Sequence, residues 1–252
     1  MRAGRMIRVA DAGVEIQAGE ALKLFDASQR WKDLYPDAMA AALVVRDAVN
    51  VLEHAELQAR KRALEANVRS RFSSPDDIKS VPEIRSYIAY YKRFEKTYHL
   101  VQQLKTVVTG RSLPTVSGLV DVMFMAEMKN LLLTAGHDLA TVVPPVVLDA
   151  GAGDERYLKL NGEEQLAKAG DMMVLDGKGI LSSVIHGPDY RSRITPQTRD
   201  VLYTVYAPRG ITSDRVVGHL ADMAENIVLF SPAALIEPIR LLSACGVEEV
   251  RL

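Results

Sequence analysis

The feature that most constrains this chain is a change of hydrophobic period near Val146. Upstream, apolar residues recur at helical spacing. Val51, Leu52, Ala55, Leu57 and Leu64 lie between charges in residues 49–71, and Ile84, Tyr87, Ile88, Tyr91 and Phe94 form one stripe of residues 82–97. The Ser73-Ser74-Pro75-Asp76-Asp77 run punctuates these two helices, and residues 99–109 and 116–133 continue the helical pattern. Downstream, residues 156–160, 172–175, 179–185 and 201–206 are short strands, with Asp176-Gly177-Lys178-Gly179 as a hairpin turn. Residues 213–230 return to helix, and Ser231-Pro232 supplies an N-cap and first-turn proline for a last helix to Ala244. Near the start, residues 7–16 and 21–25 are predicted strands around an Ala18-Gly19-Glu20 turn. The apolar run 40–45 suits either a buried strand or a helix.

This irregular alternation predicts an α/β fold of the mixed α+β kind, a central mixed sheet flanked by helices. Residues 1–30 are expected to form an N-terminal hairpin extension and residues 31–252 one domain, with no internal repeat. With 48% hydrophobic residues among 252, the chain can bury a large core. Lysine and arginine (31) nearly balance aspartate and glutamate (32), so the basic surplus of proteins that grip long nucleic acids is missing, which leaves a local patch open. The single cysteine, Cys245, excludes an internal disulfide and a zinc–thiolate site. No apolar run has transmembrane length and residues 1–6 lack the apolar core of a leader, so a cytoplasmic protein without membrane contact is expected. No metal-ligand spacing, phosphate loop or G-x-S-x-G elbow occurs, and Gly151-Ala152-Gly153 lacks the third glycine of a dinucleotide loop, so neither metal nor cofactor is expected.

The stretch from Gly110 to Pro208 carries patterned polar residues. Val120-Asp121-Val122 opens an apolar segment that closes on Gly136-His137-Asp138. Leu160-Asn161-Gly162-Glu163-Glu164 follows, and then Ser192, Thr195 and Thr198 at the spacing S-x-[VI]-T-x-x-T. In these residues the chain resembles the B3/B4 tRNA-binding and editing module of the phenylalanyl-tRNA synthetase β-subunit, particularly its free-standing relatives. Phe94, Tyr98 and Gly110-Arg111-Ser112-Leu113-Pro114 resemble the lead-in of that group. The resemblance implies contact with tRNA or an aminoacyl-tRNA end and hydrolysis of mischarged aminoacyl-tRNA, without aminoacylation. Two positions depart from it. The family's pocket asparagine falls on Phe124 and its pocket histidine on Ala135. The family's glycine-paired loop becomes Ser183-Val184-Ile185-His186-Gly187-Pro188-Asp189.

Two readings therefore stand open. In one, His137 or His186 holds a hydrolytic water while Arg191 and Thr195 orient the substrate, with Glu164, Asp189 and Arg193 as further binding groups. In the other, the chain is a non-catalytic module that keeps the pocket and binds an amino acid, a nucleotide or a protein. Each residue also has a structural reading. His137 beside Asp138 can terminate a helix, and His186 can be an ordinary loop histidine. Glu163 and Glu164 suit a charged turn, and Asp189, Arg191 and Arg193 suit a solvated, salt-bridged one. Asp121, isolated in an apolar segment, must pair or cap something. Arg60-Lys61-Arg62 is expected on the wet face of its helix, with nucleic-acid contact as the alternative. An oligomer through the N-terminal hairpin, pairing with another chain's sheet edge, is a further expectation.

Overall fold

A computed structural model of the protein describes residues 6–8, 15–17 and 25–252. Strands β1 (Met6–Arg8) and β2 (Glu15–Gln17) pair antiparallel with Ile7 opposite Ile16. The single strand expected over residues 7–16 is therefore two strands paired with each other, and residues 9–14 lie outside the described residues. The predicted Ala18-Gly19-Glu20 turn and residues 21–24 lie outside the described residues.

The rest runs β3 (Asp26–Ala27), α1 (Gln29–Leu34), β4 (Met39–Arg46), α2 (Ala55–Arg71), α3 (Pro75–Ser80), α4 (Pro82–Lys92), α5 (His99–Val108) and α6 (Gly118–Asn130). There follow β5 (Leu133–Asp138), β6 (Val147–Ala150), β7 (Arg156–Leu158), β8 (Glu164–Leu166), β9 (Met172–Asp176), β10 (Gly179–Ser183) and β11 (Gly187–Pro188). The chain closes with β12 (Val201–Ala207), α7 (Ser213–Phe230), β13 (Leu235–Ile236), β14 (Ile239–Ser243) and β15 (Gly246–Val250). Among the described residues no helix is long and apolar enough to cross a membrane.

The fold is mixed α+β, with two large sheets beside the two-stranded pairs β1–β2 and β7–β8. The larger sheet has the order β15-β14-β4-β12-β5, with β13 beside β4. All its pairs are antiparallel. The smaller has the order β11-β10-β9-β6-β3, in which only β3 and β6 run parallel. One face of the larger sheet carries α6 and α7: Tyr203 on β12 donates to the Leu119 carbonyl at 2.7 Å, and Thr134 on β5 meets His219 of α7 at 2.6 Å. The other face meets the smaller sheet, where Tyr206 and His137 both reach Ser182 of β10. Burial on both faces explains why β4 is an unbroken apolar run and why its period alone leaves helix and strand equal. Helix α4 joins the sheets through three hydroxyls. Tyr87 donates to the Tyr206 carbonyl, Tyr90 to Asp171 at 2.5 Å and Tyr91 to the Val184 carbonyl at 2.7 Å.

Three predicted elements differ. The helix expected over 116–133 ends at Asn130, because Leu131 adopts left-handed φ 65° and the chain re-enters as β5. No glycine or proline marks that turn, and Leu131 and Leu132 are buried, so the apolar pattern runs straight through it. The terminal helix expected to Ala244 is instead β13 and the β14–β15 hairpin. Ile239, Leu241 and Leu242 are buried beside β4, and Pro238 holds Glu237 away from helical dihedrals. Residues 49–54 precede α2, which starts behind the His54 N-cap. The Ser73–Asp77 punctuation is a helix start, with Ser74 and Asp77 forming the capping box of α3.

On α2, Lys61 departs from the wet-face expectation. It is 2% exposed and pairs with Asp121 of α6 at 2.9 Å. Asp121 also accepts from the Val116 amide at 2.9 Å, so this carboxylate is fully engaged in joining α2 to α6. Arg60 does lie at the surface and meets Glu225 at 2.7 Å.

Candidate functional site

Helix α6 presents Val120, Met123, Phe124 and Glu127 at i, i+3, i+4 and i+7, one face of the helix, toward a cavity of about 700 Å³. The first residues of β5 continue this wall, including Ala135 and Gly136. Ser183 at the end of β10 through Pro188 of β11, together with Arg193 and Ile194, form the opposite wall, and His99 of α5 and Tyr206 also line the cavity. Gly136 lets Ile194 and Tyr203 pack closely: a Cβ there would lie 2.8 Å from the end of the Ile194 side chain and 3.2 Å from the Tyr203 ring, so these side chains would have to shift. The volume falls within the range of small-molecule sites, roughly 300–1,000 Å³.

Glu127 is the charged-type residue deepest in this apolar wall, 4% exposed. One carboxyl oxygen accepts from the Thr134 amide at 2.9 Å, which also fixes the turn from α6 into β5. Its other oxygen has no hydrogen bond and no cation among the described residues. Burial pushes this carboxyl up to about 8, and the single amide bond offsets that only in part. His99 and His186 are both held below the ordinary histidine value, chiefly by burial. His186 stands 3.3 Å from Gln165.

Behind the cavity runs a fully buried polar chain. Tyr206 stands 2.6 Å from the Ser182 hydroxyl, Ser182 stands 3.2 Å from His137 Nε2, His137 Nδ1 stands 2.7 Å from the Ser192 hydroxyl, and Ser192 meets Asp189. One direction of donation satisfies every member. Tyr206 donates to Ser182, Ser182 to His137 Nε2, His137 Nδ1–H to Ser192, and Ser192 to the Asp189 carboxylate. That pattern requires a neutral imidazole, and burial lowers His137 to about 3, with the Arg191 charge acting in the same direction.

The structure thus separates the residues that the sequence groups together. His186 and Arg193 line the cavity, as do Phe124 and Ala135. His137 does not: it lies on β5, wholly buried, with both ring nitrogens bonded, so it neither terminates a helix nor faces a ligand. Of the groups read as holding a water or orienting substrate, only His186 lines this cavity, and His137, Arg191 and Thr195 lie outside its lining. Arg191 clamps Asp176 at 2.9 and 3.0 Å and the Thr141 carbonyl at 2.7 Å, away from the cavity. Asp189 is buried at the end of the polar chain. Glu164 is exposed on β8 and meets Arg156 at 3.0 Å, and Thr195 bonds within its own turn through Thr198. Arg193 stacks over the Tyr190 ring at 3.7 Å and donates to its carbonyl. Glu127, His99 and Tyr206 are the titratable wall residues not anticipated as site groups. For Glu127 the signal was present, since an acid inside an apolar helix points to a special environment just as it does for Asp121.

No protein-family model and no curated protein matches this sequence. Among solved structures the chain is similar to an N-terminal fragment of the phenylalanyl-tRNA synthetase β-subunit from Pyrococcus horikoshii, with a TM-score of 0.50 and 12% identity. The similarity covers 90% of this chain and 56% of that one, so the chain spans little more than half of the fragment. At that identity the likeness is one of fold.

Proposed function

We propose that this chain is a tRNA synthetase-like module whose cavity receives the aminoacyl end of a tRNA. The observation that carries this is the convergence of Phe124 and Ala135 on one apolar cavity wall. These are the two positions that the β-subunit resemblance assigns to a pocket, on a fold similar to that of a β-subunit fragment. Phe124 and Ala135 offer apolar contact and no donor to a developing charge, which favours holding the ligand over hydrolysing its ester. The near-neutral chain suits recognition of a short terminus better than a long phosphate track.

A second reading, ester hydrolysis, draws on one observation. His186 lies on the cavity wall, and burial lowers its pKa, favouring the neutral form a general base requires. Binding of an aminoacyl-tRNA and of the same tRNA after deacylation separates these readings from none. Affinity for the charged form at least about tenfold higher supports the module, and equal affinities overturn it. Loss of the ester above background that disappears in His186→Ala supports hydrolysis, and an unchanged ester half-life refutes it.

A further inference from the structure

Resting on that reading of the cavity, we propose that Glu127 receives the free amino group of the bound ligand, so that the site selects aminoacyl groups with an unblocked α-amine beside an apolar side chain. The geometry supplies each part. Glu127 is on the wall of the cavity and nearly sealed from bulk solvent by the protein around it. One oxygen is held by the Thr134 amide, which fixes the carboxyl's orientation, and the other is left without a partner among the described residues. The second oxygen opens onto the cavity, so a ligand group placed there meets a carboxyl whose orientation the fold has already set. The buried carboxylates elsewhere have partners, Asp121 in Lys61 and Asp189 in Ser192, whereas the buried side-chain atoms without a hydrogen bond among the described residues are neutral ring, hydroxyl or indole groups and Arg215 Nε.

The surroundings of Glu127 set what can occupy that position. Val120, Phe124 and Ala135 line the same cavity with apolar surface, suited to an amino-acid side chain. The other titratable wall groups are His99, His186, Arg193 and Tyr206. His99 bears on Tyr91 at 3.3 Å, Arg193 stacks on Tyr190, and Tyr206 donates to Ser182, which leaves Glu127 as the wall's acidic group. An α-amino group titrates at roughly 7.7–8.0, close to the value of about 8 for this carboxyl, so forming the carboxylate–ammonium pair at neutral pH releases one proton, and each charge then favours the other.

Calorimetric titration with puromycin, an amide-linked aminoacyl-nucleoside with a free amine, and with N-acetyl-puromycin tests the assignment. Expected for the native protein is at least about tenfold weaker binding of the acetylated compound, the scale of one charge-assisted hydrogen bond. In Glu127→Gln, which retains an acceptor for the Thr134 amide, puromycin should weaken by about tenfold and the acetylated compound should not change. Equal binding of the two compounds to the native protein overturns the role of Glu127 while leaving the cavity as the site. Binding of neither overturns both.

Discussion

The buried chain from Asp189 to Tyr206 and the cavity wall at Glu127 are both polar islands in apolar surroundings, and they differ in completeness. Every group of the first has a partner, including both nitrogens of His137. The second leaves one carboxyl oxygen open beside about 700 Å³ of space. A completed network is scaffold: it holds β5, β10 and the segment around Ser192 in register. An incomplete one that opens onto a cavity can take a partner from outside the chain. The histidine that the sequence makes most conspicuous belongs to the first kind.

That distinction can be broken at its strongest point. Lys61→Met leaves Asp121 buried without its cation, and the expected loss of about 3–5 kcal/mol in urea unfolding should come with no change in ligand affinity of the folded fraction. His137→Ala should cost about 2–4 kcal/mol, by stranding Ser182 and Ser192 and opening a cavity, again without altering affinity. A His137→Ala protein as stable as the native one that no longer binds would reverse the assignment of the two regions.

The pH dependence of stability sharpens the comparison further. Glu127 is raised from its ordinary 4.5 to about 8, so between those values the folded chain keeps a proton that the unfolded chain releases. Its contribution is present at low pH and is lost as pH rises toward 8. Below pH 6.5 the buried histidines pull the other way: His137 and His219, both lowered to about 3, stay neutral in the fold while the unfolded chain protonates them. From pH 6.5 to 8 the Glu127 slope stands alone among these groups. Stability should fall there by up to roughly 1.4 kcal/mol per pH unit, and Glu127→Gln should flatten it. The smallest effect is expected at the rim, where His186→Ala should change stability by no more than about 0.5 kcal/mol. A larger loss would place His186 with the scaffold.

Much of the fold is legible from local pattern. Residues 213–230 form the helix their spacing predicts, and the Asp176–Gly179 turn joins β9 and β10. Pattern fails where burial is two-sided or a turn lacks its usual residues, as at Leu131 and in β14. The cavity was legible only in part. Phe124 and Ala135 are found by correspondence of position, but whether a polar residue faces ligand or core depends on partners distant in the chain. Arg191 with Asp176 and His137 with Ser182 are such cases, and spacing along one strand or helix does not encode them.

The central claim is that the cavity between α6, β5 and the segment after β10 is the ligand site. Titrating puromycin into the native protein and into Ala135→Phe, which fills the wall from β5, tests it most directly. Saturable binding by the native protein, weakened at least about tenfold in a folded Ala135→Phe variant, is the predicted result. Equal affinity in the two proteins would contradict it.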